Sequence, residues 1–449
     1  MNRRPVLVWF DRDLRLADNP ALHAAAAAGH PIVPVFFWAP EDEGPWPPGA
    51  ASQWWLHQSL AALSASLAAR QSALILRRGP CAQALTALAA ETDAAAVFWN
   101  RRYEPAAIAR DRAVESTLRA RGIETHICAG NLLFEPGSVL SSTGKPFQVF
   151  TAFWRACQAM PEPPKPHHAP ATLSSPRRRP SSLRLADLRL EPAVDWAAGL
   201  RETWCPGEAP ARARLKAFLG AALDRYSVER DRPDRAGTSR LSPHLHFGEI
   251  SARRLWHALR ASPAAEPFLR QLAWREFSYH LLFHFPRTPA EPLRPDFRSF
   301  PWRMDARALK AWTRGLTGYP LVDAGMRELW RTGWMHNRVR MLAASFLVKH
   351  LLISWQEGAA WFWDTLVDAD LANNTMGWQW TAGCGADAAP YFRVFNPTLQ
   401  AKKFDPDGAY IRRWVPELAD RSYPPAIIDH DLARRRALAA LASMKQRSQ

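Results

Sequence analysis

Over its first 130 residues the chain alternates between two periodicities. Short apolar or β-branched runs, PVLVWF, PIVPVFFW, ALILRRG, AAVFWN and IETHICA, are each bounded by turn residues and read as strands. Between them NPALHAAAAAG, SQWWLHQSLAALSASLAAR, CAQALTALAAET and PAAIARDRAVESTLRARG carry helical spacing. Strand–helix alternation of this kind predicts βαβ units and a doubly wound, parallel, five-stranded Rossmann-like sheet over residues 1–130. No GxGxxG follows the first strand; WFDRDLRLADNP stands there, so a dinucleotide at the usual glycine turn is not expected.

The pattern then breaks. PEPPKPHHAPATLSSPRRRPSS, within the stretch from Met160 to about Leu200, is too rich in proline, serine and arginine to hold a regular element for long. Residues 131–200 are therefore expected to form a linker, and 201–449, where strand signals vanish and long helical periodicities take over, an all-α domain. A chain of 449 residues suffices for two or three domains with a substantial core. No apolar run reaches the roughly 18 residues of a membrane span. The longest, LAASFLVKHLLISW, is broken by Lys349 and His350. The N-terminus lacks an apolar targeting core, so a cytoplasmic protein is expected. Five cysteines lie far apart with no CxxC pair, which argues against a disulfide framework and against a zinc or iron–sulfur site.

Charge changes the picture more than length does. A net charge of +16 fits a polyanionic partner, most simply nucleic acid; an arginine-rich coding bias would give the same sum. Twenty-one tryptophans, most of them after residue 250, exceed what a core needs and invite stacking or electron transfer.

Four stretches of the helical half carry candidate chemistry. In GTSRLSP, Gly237–Pro243, Thr238, Ser239 and Ser242 are helix-cap types, which suits either a phosphate site at a helix start or a plain N-cap. In TGWMHNRVRM, helical spacing puts Asn337 and Met341 on one face and His336 and Arg340 on the next. A buried Arg340 needs a partner, and Asp368 is the obvious one; a surface arginine helix is the other reading. In QLAWREFSYH, Gln271 and Trp274 are one turn apart, so they line a cleft together or Trp274 is structural. DADLANNTMGWQW, Asp368–Trp380, gathers two aspartates, two asparagines and two tryptophans.

Taken together, WFDRDLRLADNPAL, GTSRLS, WREF, TGYPLVDAGMRELWRTGWMHNRVRM and DADLANNTMGWQW resemble, in order and spacing, the DNA photolyase/cryptochrome family. VFFWAPEDEG and SQWWLHQSL narrow the resemblance to its class III, plant-cryptochrome-like cyclobutane pyrimidine dimer photolyases. The resemblance implies a U-shaped FAD inside the helical domain and UV-damaged DNA as partner, with the protein expected as a monomer. By matching position, Asn374 faces flavin N5, and Asp368 and Asp370 contact the ring edge and the adenine or ribityl groups. Asp368 pairs with Arg340, Arg275 lies on the flavin side, and Tyr226, Thr238, Ser239, Arg240, Leu241 and Ser242 cradle the pyrophosphate. Trp378, Trp355 and Trp302 match an electron-transfer chain, with Trp330 or Tyr391 as alternative stations. Trp274 and Trp380 match residues that sandwich a flipped-out dimer, Asn337 and Met341 contact its bases, and Arg230, Arg338 and Arg393 fall near DNA phosphates. The implied reaction is metal-free: light-excited reduced FAD lends an electron, the cyclobutane ring splits, and the electron returns.

Two departures bear on this. Asp11 stands where many members carry arginine. Gln271 replaces a glutamate whose protonated carboxyl donates to a thymine carbonyl; an amide N–H can donate from the same place. Glutamine is also typical of (6-4) photolyases, but those need histidine where this chain has Asn337 and Met341. A cryptochrome, a light-signalling protein, would carry a long C-terminal tail, for which the chain after IRRWVPEL leaves no room. The antenna expected in the sheet domain is a methenyltetrahydrofolate, with Glu104 at a folate-contacting position or as a plain surface residue.

Overall fold

The computed structural model describes residues 3–388, 392–420 and 422–447. Its five strands are β1 (Val6–Phe10), β2 (Ile32–Trp38), β3 (Ile75–Arg78), β4 (Ala96–Asn100) and β5 (Glu124–Cys128), all parallel in the order β3-β2-β1-β4-β5. Every residue of β1, β2 and β4 is buried, which is why those runs are continuously apolar instead of alternating. The crossovers are α1 (Pro20–Ala27), α2 (Ala50–Ala68), α3 (Cys81–Thr92) and α4 (Pro105–Arg119). Leu7, Trp9, Val33 and Val35 form a core with α3 and α4 on one face. Val6, Val8, Phe10 and Phe36 form another with α1 and α2, and this second core takes in Trp204, Phe247, Trp334 and Val367 of the helical half. The sheet domain is thus fastened to its neighbour through α2.

Residues 161–184 hold no helix or strand, as the proline pattern requires, and they serve the sheet. Leu183 N–H donates to Leu76 O at 3.0 Å and Leu76 N–H to Ser182 Oγ at 2.9 Å, covering the open edge of β3. The first part of the expected linker differs: α5 (Phe150–Gln158) turns Phe150, Phe153, Trp154 and Cys157 into the helical domain's core. Those four positions have helical spacing that a short segment between turn-rich flanks did not reveal.

Past residue 201 the described residues are helical or irregular. Two helices there approach unusually closely, Trp355–Thr365 and Leu371–Ala382. A Cβ on Gly358 would lie 2.0 Å from the Trp378 ring, so only glycine allows this crossing. The second helix divides its contacts. Leu371, Ala372 and Trp378 join one core, Met376 joins the other, and a cavity lies beside it. No helix among the described residues is long and apolar enough to cross a membrane.

Candidate active site

The cavity, about 620 Å³, lies among the helices Glu266–His284, Asn337–Ser345 and Leu371–Ala382. Gln271, Trp274, Arg275, Asn337, Met341, Asp368, Asp370, Asn374, Trp378 and Trp380 all line it, together with Arg230, Arg338, Arg340 and Arg393. Residues from three of the four candidate stretches, with Arg230 and Arg393 from outside them, thus share one space.

Its floor is polar. Arg340 donates to Asp368 Oδ2 at 2.9 Å and to Met335 O at 2.7 Å, so the pair expected from burial is formed. Asp368 Oδ1 is buried without a partner, an acceptor left for something in the cavity. Asp370 differs: as N-cap of Leu371–Ala382 it receives Asn373 N–H at 2.9 Å, and it also accepts the Tyr279 hydroxyl and faces His246 at 3.6 Å. Burial opposes its ionisation, yet His246, Arg275 and Tyr279 outweigh it and hold the carboxyl well below the usual range. Its oxygens are largely spent on the protein. Asn374 donates through Nδ2 to Ala359 O at 3.0 Å, which turns the amide oxygen into its remaining acceptor. Arg275 reaches away, to Asn131 O and the Glu276 carboxylate.

The mouth is aromatic and basic. Trp274 is stacked on Phe150 of α5 at 3.9 Å and 6°, which braces one indole face. Trp380 Nε1 donates to Asp387 O at 3.1 Å. Asn337 Nδ2 lies 3.8 Å from Met341 Sδ on their shared face. Arg338 is 2.8 Å from the Asp231 carboxylate, and Arg230 reaches it at 4.0 Å. Phe150, Asp231 and Asp387 escaped the sequence reading. The adjacent pair Arg230–Asp231 was its one available signal.

The residues expected to cradle a pyrophosphate do not act as side-chain caps. Gly237 packs on the Tyr226–Glu229 turn so closely that a Cβ would lie 2.5 Å from Glu229 Cβ, and Tyr226 and Leu241 belong to one hydrophobic core. The short helix Ser242–His246 has Leu241 as its N-cap and no side-chain cap bond. Arg240 turns the chain with φ of 51°, and Ser239 Oγ takes the Leu241 N–H instead. The Arg240 guanidinium lies between Trp204 and Trp334, at 4.7 and 4.5 Å. None of these six residues lines the cavity described above.

Trp378 forms part of the cavity wall, pressed on Gly358, one turn from Trp355. Trp355, buried, and Trp302, half-buried, line one surface hollow. Trp330, 66% exposed, stacks on Trp361 at 6.0 Å. Tyr391 lies outside the described residues.

In the sheet domain, the strand order reverses direction beside β1, and the crevice there is filled with charge. Arg102 binds Asp11, Glu43 and Glu104, at 3.1, 2.6 and 3.1 Å, and Arg110 binds Asp11 at 2.8 Å. Asp11, standing where an arginine was usual, is thus the counter-charge of two arginines. Burial opposes its ionisation, but Arg102 and Arg110 hold it well below the carboxylate range. Glu104 is buried, and its oxygens go to Arg102 and to Tyr103 N–H. The cavity beside this cluster is only about 40 Å³.

A parallel sheet domain is thus seated on a helical domain with a basic, tryptophan-lined cavity, and comparison with known proteins places this architecture in a family. Residues 6–171 match the DNA photolyase family and residues 268–422 the FAD binding domain of DNA photolyase. The chain is 46% identical to a deoxyribodipyrimidine photo-lyase of Agrobacterium fabrum, covering 98% of each. It is 41% identical to Cryptochrome-1 of Arabidopsis thaliana, over 92% of this chain and 63% of that one. The crystal structure of a bacterial class III photolyase from Agrobacterium tumefaciens superposes with a TM-score of 0.96, covering 99% of this chain and 98% of that one at 46% identity. An archaeal photolyase from Sulfolobus tokodaii with two FAD molecules gives 0.86 at 29% identity, covering 98% and 100%. The chain belongs to the DNA photolyase/cryptochrome family.

The cavity also fits the flavin of that family's binding domain. Its volume lies in the range of cofactor sites. Asp368 Oδ1 and Trp378 Nε1 are buried polar atoms without protein partners, and the Asn374 oxygen is a further acceptor.

Proposed function

We propose that this protein repairs cyclobutane pyrimidine dimers in DNA, driven by light absorbed by FAD. The observation that carries the reading is one cavity in which flavin-type contacts, Asp368 and Asn374, and lesion-type contacts, Trp274, Trp380, Asn337 and Met341, share a single space. An electron passes between two groups held in one cavity without crossing a protein wall.

Arg230, Arg338 and Arg393 take the phosphates on either side of the lesion and fix the strand without reading its sequence. Phosphate exchanges with Asp231 as the partner of Arg338. Extruding the dimer costs a few kcal/mol, least where damage has already weakened pairing. Trp274, its far face closed by Phe150, and Trp380 receive the two bases. Gln271 and Asn337 offer amide N–H donors to pyrimidine carbonyls, where a developing negative charge strengthens the bond. Met341 supplies apolar contact. Asn374 presents an uncharged acceptor, which does not repel an anionic reduced ring. When bound, reduced FAD would supply on excitation the electron that opens the cyclobutane ring and would take it back, leaving the reaction redox-neutral overall. A methenyltetrahydrofolate antenna belongs to the same proposal. Glu104, already paired with Arg102, would have to exchange that partner to contact it, so a folate released on denaturing the purified protein is its test.

Light-dependent repair of two single-lesion oligonucleotides, one with a cyclobutane dimer and one with a (6-4) product, tests the function. Dimer repair under blue light and none in the dark is the expected result. Failure on both with FAD bound and reducible would overturn it in favour of light signalling, and repair of the (6-4) product alone would reassign the substrate.

A further inference from the structure

A second groove, of about 490 Å³, adjoins the mouth of the cavity, and Trp380, Thr381 and Arg393 are their common wall. Its cations are Arg294, Lys349, Arg393, Arg434 and Lys445, against one acid, Asp296. Lys349 is spent inside: it is buried, donates to Ala382 O at 2.7 Å, and burial pushes its ammonium well below the usual range. Arg294, Arg434 and Lys445 are exposed, and none is in an ion pair among the described residues. Arg338 at the cavity mouth, by contrast, already has Asp231. Arg294 is held in place by Gly383 O at 3.3 Å and by the Phe297 ring at 5.3 Å. Arg434, Leu438, Leu441 and Lys445 follow one face of the helix His430–Arg447, and Phe392 and Phe395 add ring faces.

Unneutralised cations interleaved with rings along a groove are what unpaired nucleotides need: charge for phosphates and flat faces for bases. Which strand enters is decided by continuity. The groove begins at Trp380, where the damaged bases end, and successive nucleotides of one strand are only about 3.4 Å apart. The nucleotide covalently next to the lesion therefore meets Trp380 and Arg393 first. We propose that this groove binds the lesion strand itself, as a single-stranded flank on one side of the dimer. The proposal rests on the repair reading and adds a polarity to it, since only one flank leads into the groove.

The test uses the whole protein, R294Q/R434Q and R294E/R434E, with single-stranded oligonucleotides carrying one dimer and flanks lengthened from one to five nucleotides on one side at a time. For the wild type, lengthening one flank but not the other tightens binding on the order of ten-fold. R294E/R434E abolishes that gain. R294Q/R434Q reduces it and lowers the slope of log Kd against log salt by about 1.4, at roughly 0.7 for each phosphate no longer neutralised. Light-driven repair of the bare dinucleotide dimer, too short to reach the groove, is unchanged in both variants. Absence of that repair in wild type sinks the repair reading, whereas unaltered flank dependence in R294E/R434E sinks the groove alone. Loss seen only with duplex substrates would give the groove to the opposite strand and overturn the proposal. An equal loss on the bare dimer would overturn it too, by making the arginines part of the lesion pocket.

Discussion

Gln271 stands where the family resemblance led to the expectation of a glutamate, and the geometry makes its proposed role testable. It lies one turn from Trp274 and faces the same cavity. If its amide N–H bonds a carbonyl on which charge develops, removing the donor costs about 1.5–3 kcal/mol, the range of a charge-assisted hydrogen bond. Gln271→Leu is therefore expected to slow repair by ten-fold or more under saturating light with pre-reduced flavin, while leaving flavin content intact. Gln271→Glu, which donates only when protonated, should recover activity most at low pH. Equal repair by wild type and Gln271→Leu would remove this residue from the chemistry. The residue scale also divides what spacing can reveal. The Asn337–Met341 face and the Arg340–Asp368 pair were readable, since one follows from helical period and the other from the need to neutralise a buried cation. Phe150 behind Trp274 was not, because stacking between residues so far apart in the chain leaves no local pattern.

At the scale of elements, helix starts were the least legible feature. GTSRLSP offered three good capping side chains and uses none of them as caps, whereas the helix Asn337–Ser345 is capped by a histidine. His336 Nδ1 accepts the Arg338 N–H at 3.2 Å, which requires the neutral ring. Burial, helped by Arg338 and Arg340, pushes its pKa down from 6.5 to about 4. A depressed folded-state value means the stability is present above pH 6.5 and lost as pH falls through 6.5 toward 4. By pH 5 this single group should have given up about 2 kcal/mol. His280 and His350, lowered by burial to about 4 and about 3, act with the same sign. His336→Asn keeps a side-chain acceptor at the cap but cannot titrate. Urea unfolding at pH 7 and pH 5 should show a loss for His336→Asn smaller than wild type's by about 2 kcal/mol; identical losses would show that the ring is not neutral in the fold. The strand–helix alternation of the sheet domain was legible throughout because β1, β2 and β4 are buried on both faces and the turns between elements are marked. In the helical half, periodicity gave the helices but not their crossings, which hang on single contacts such as Gly358 against Trp378.

Across the whole molecule, two sets of tryptophans are candidates for an electron route between the cavity and the surface. Trp378 is in the cavity wall, and Trp355 and Trp302 share a hollow open to solvent. Trp330 and Trp361 form a second outward pair, stacked nearly parallel at 8°. An indole that loses an electron becomes a cation, and its resting place is the station that water can reach, since burial penalises charge. Trp355 is buried, so on the first route the charge must move on to Trp302 to be stabilised. Trp302→Phe is then expected to slow light-driven reduction of oxidised bound FAD several-fold by an external donor, because charge stranded on Trp355 returns to the flavin. Repair by chemically reduced protein needs no electron from the surface and should be unchanged, which separates the route from the chemistry. Unaltered photoreduction in Trp302→Phe together with slow photoreduction in Trp330→Phe would place the exit at the second pair. On the proposed reading the direction of flow is the same in either case: electrons would enter from solvent through indoles to prepare the cofactor, and the repairing electron would stay within the cavity that holds cofactor and lesion together.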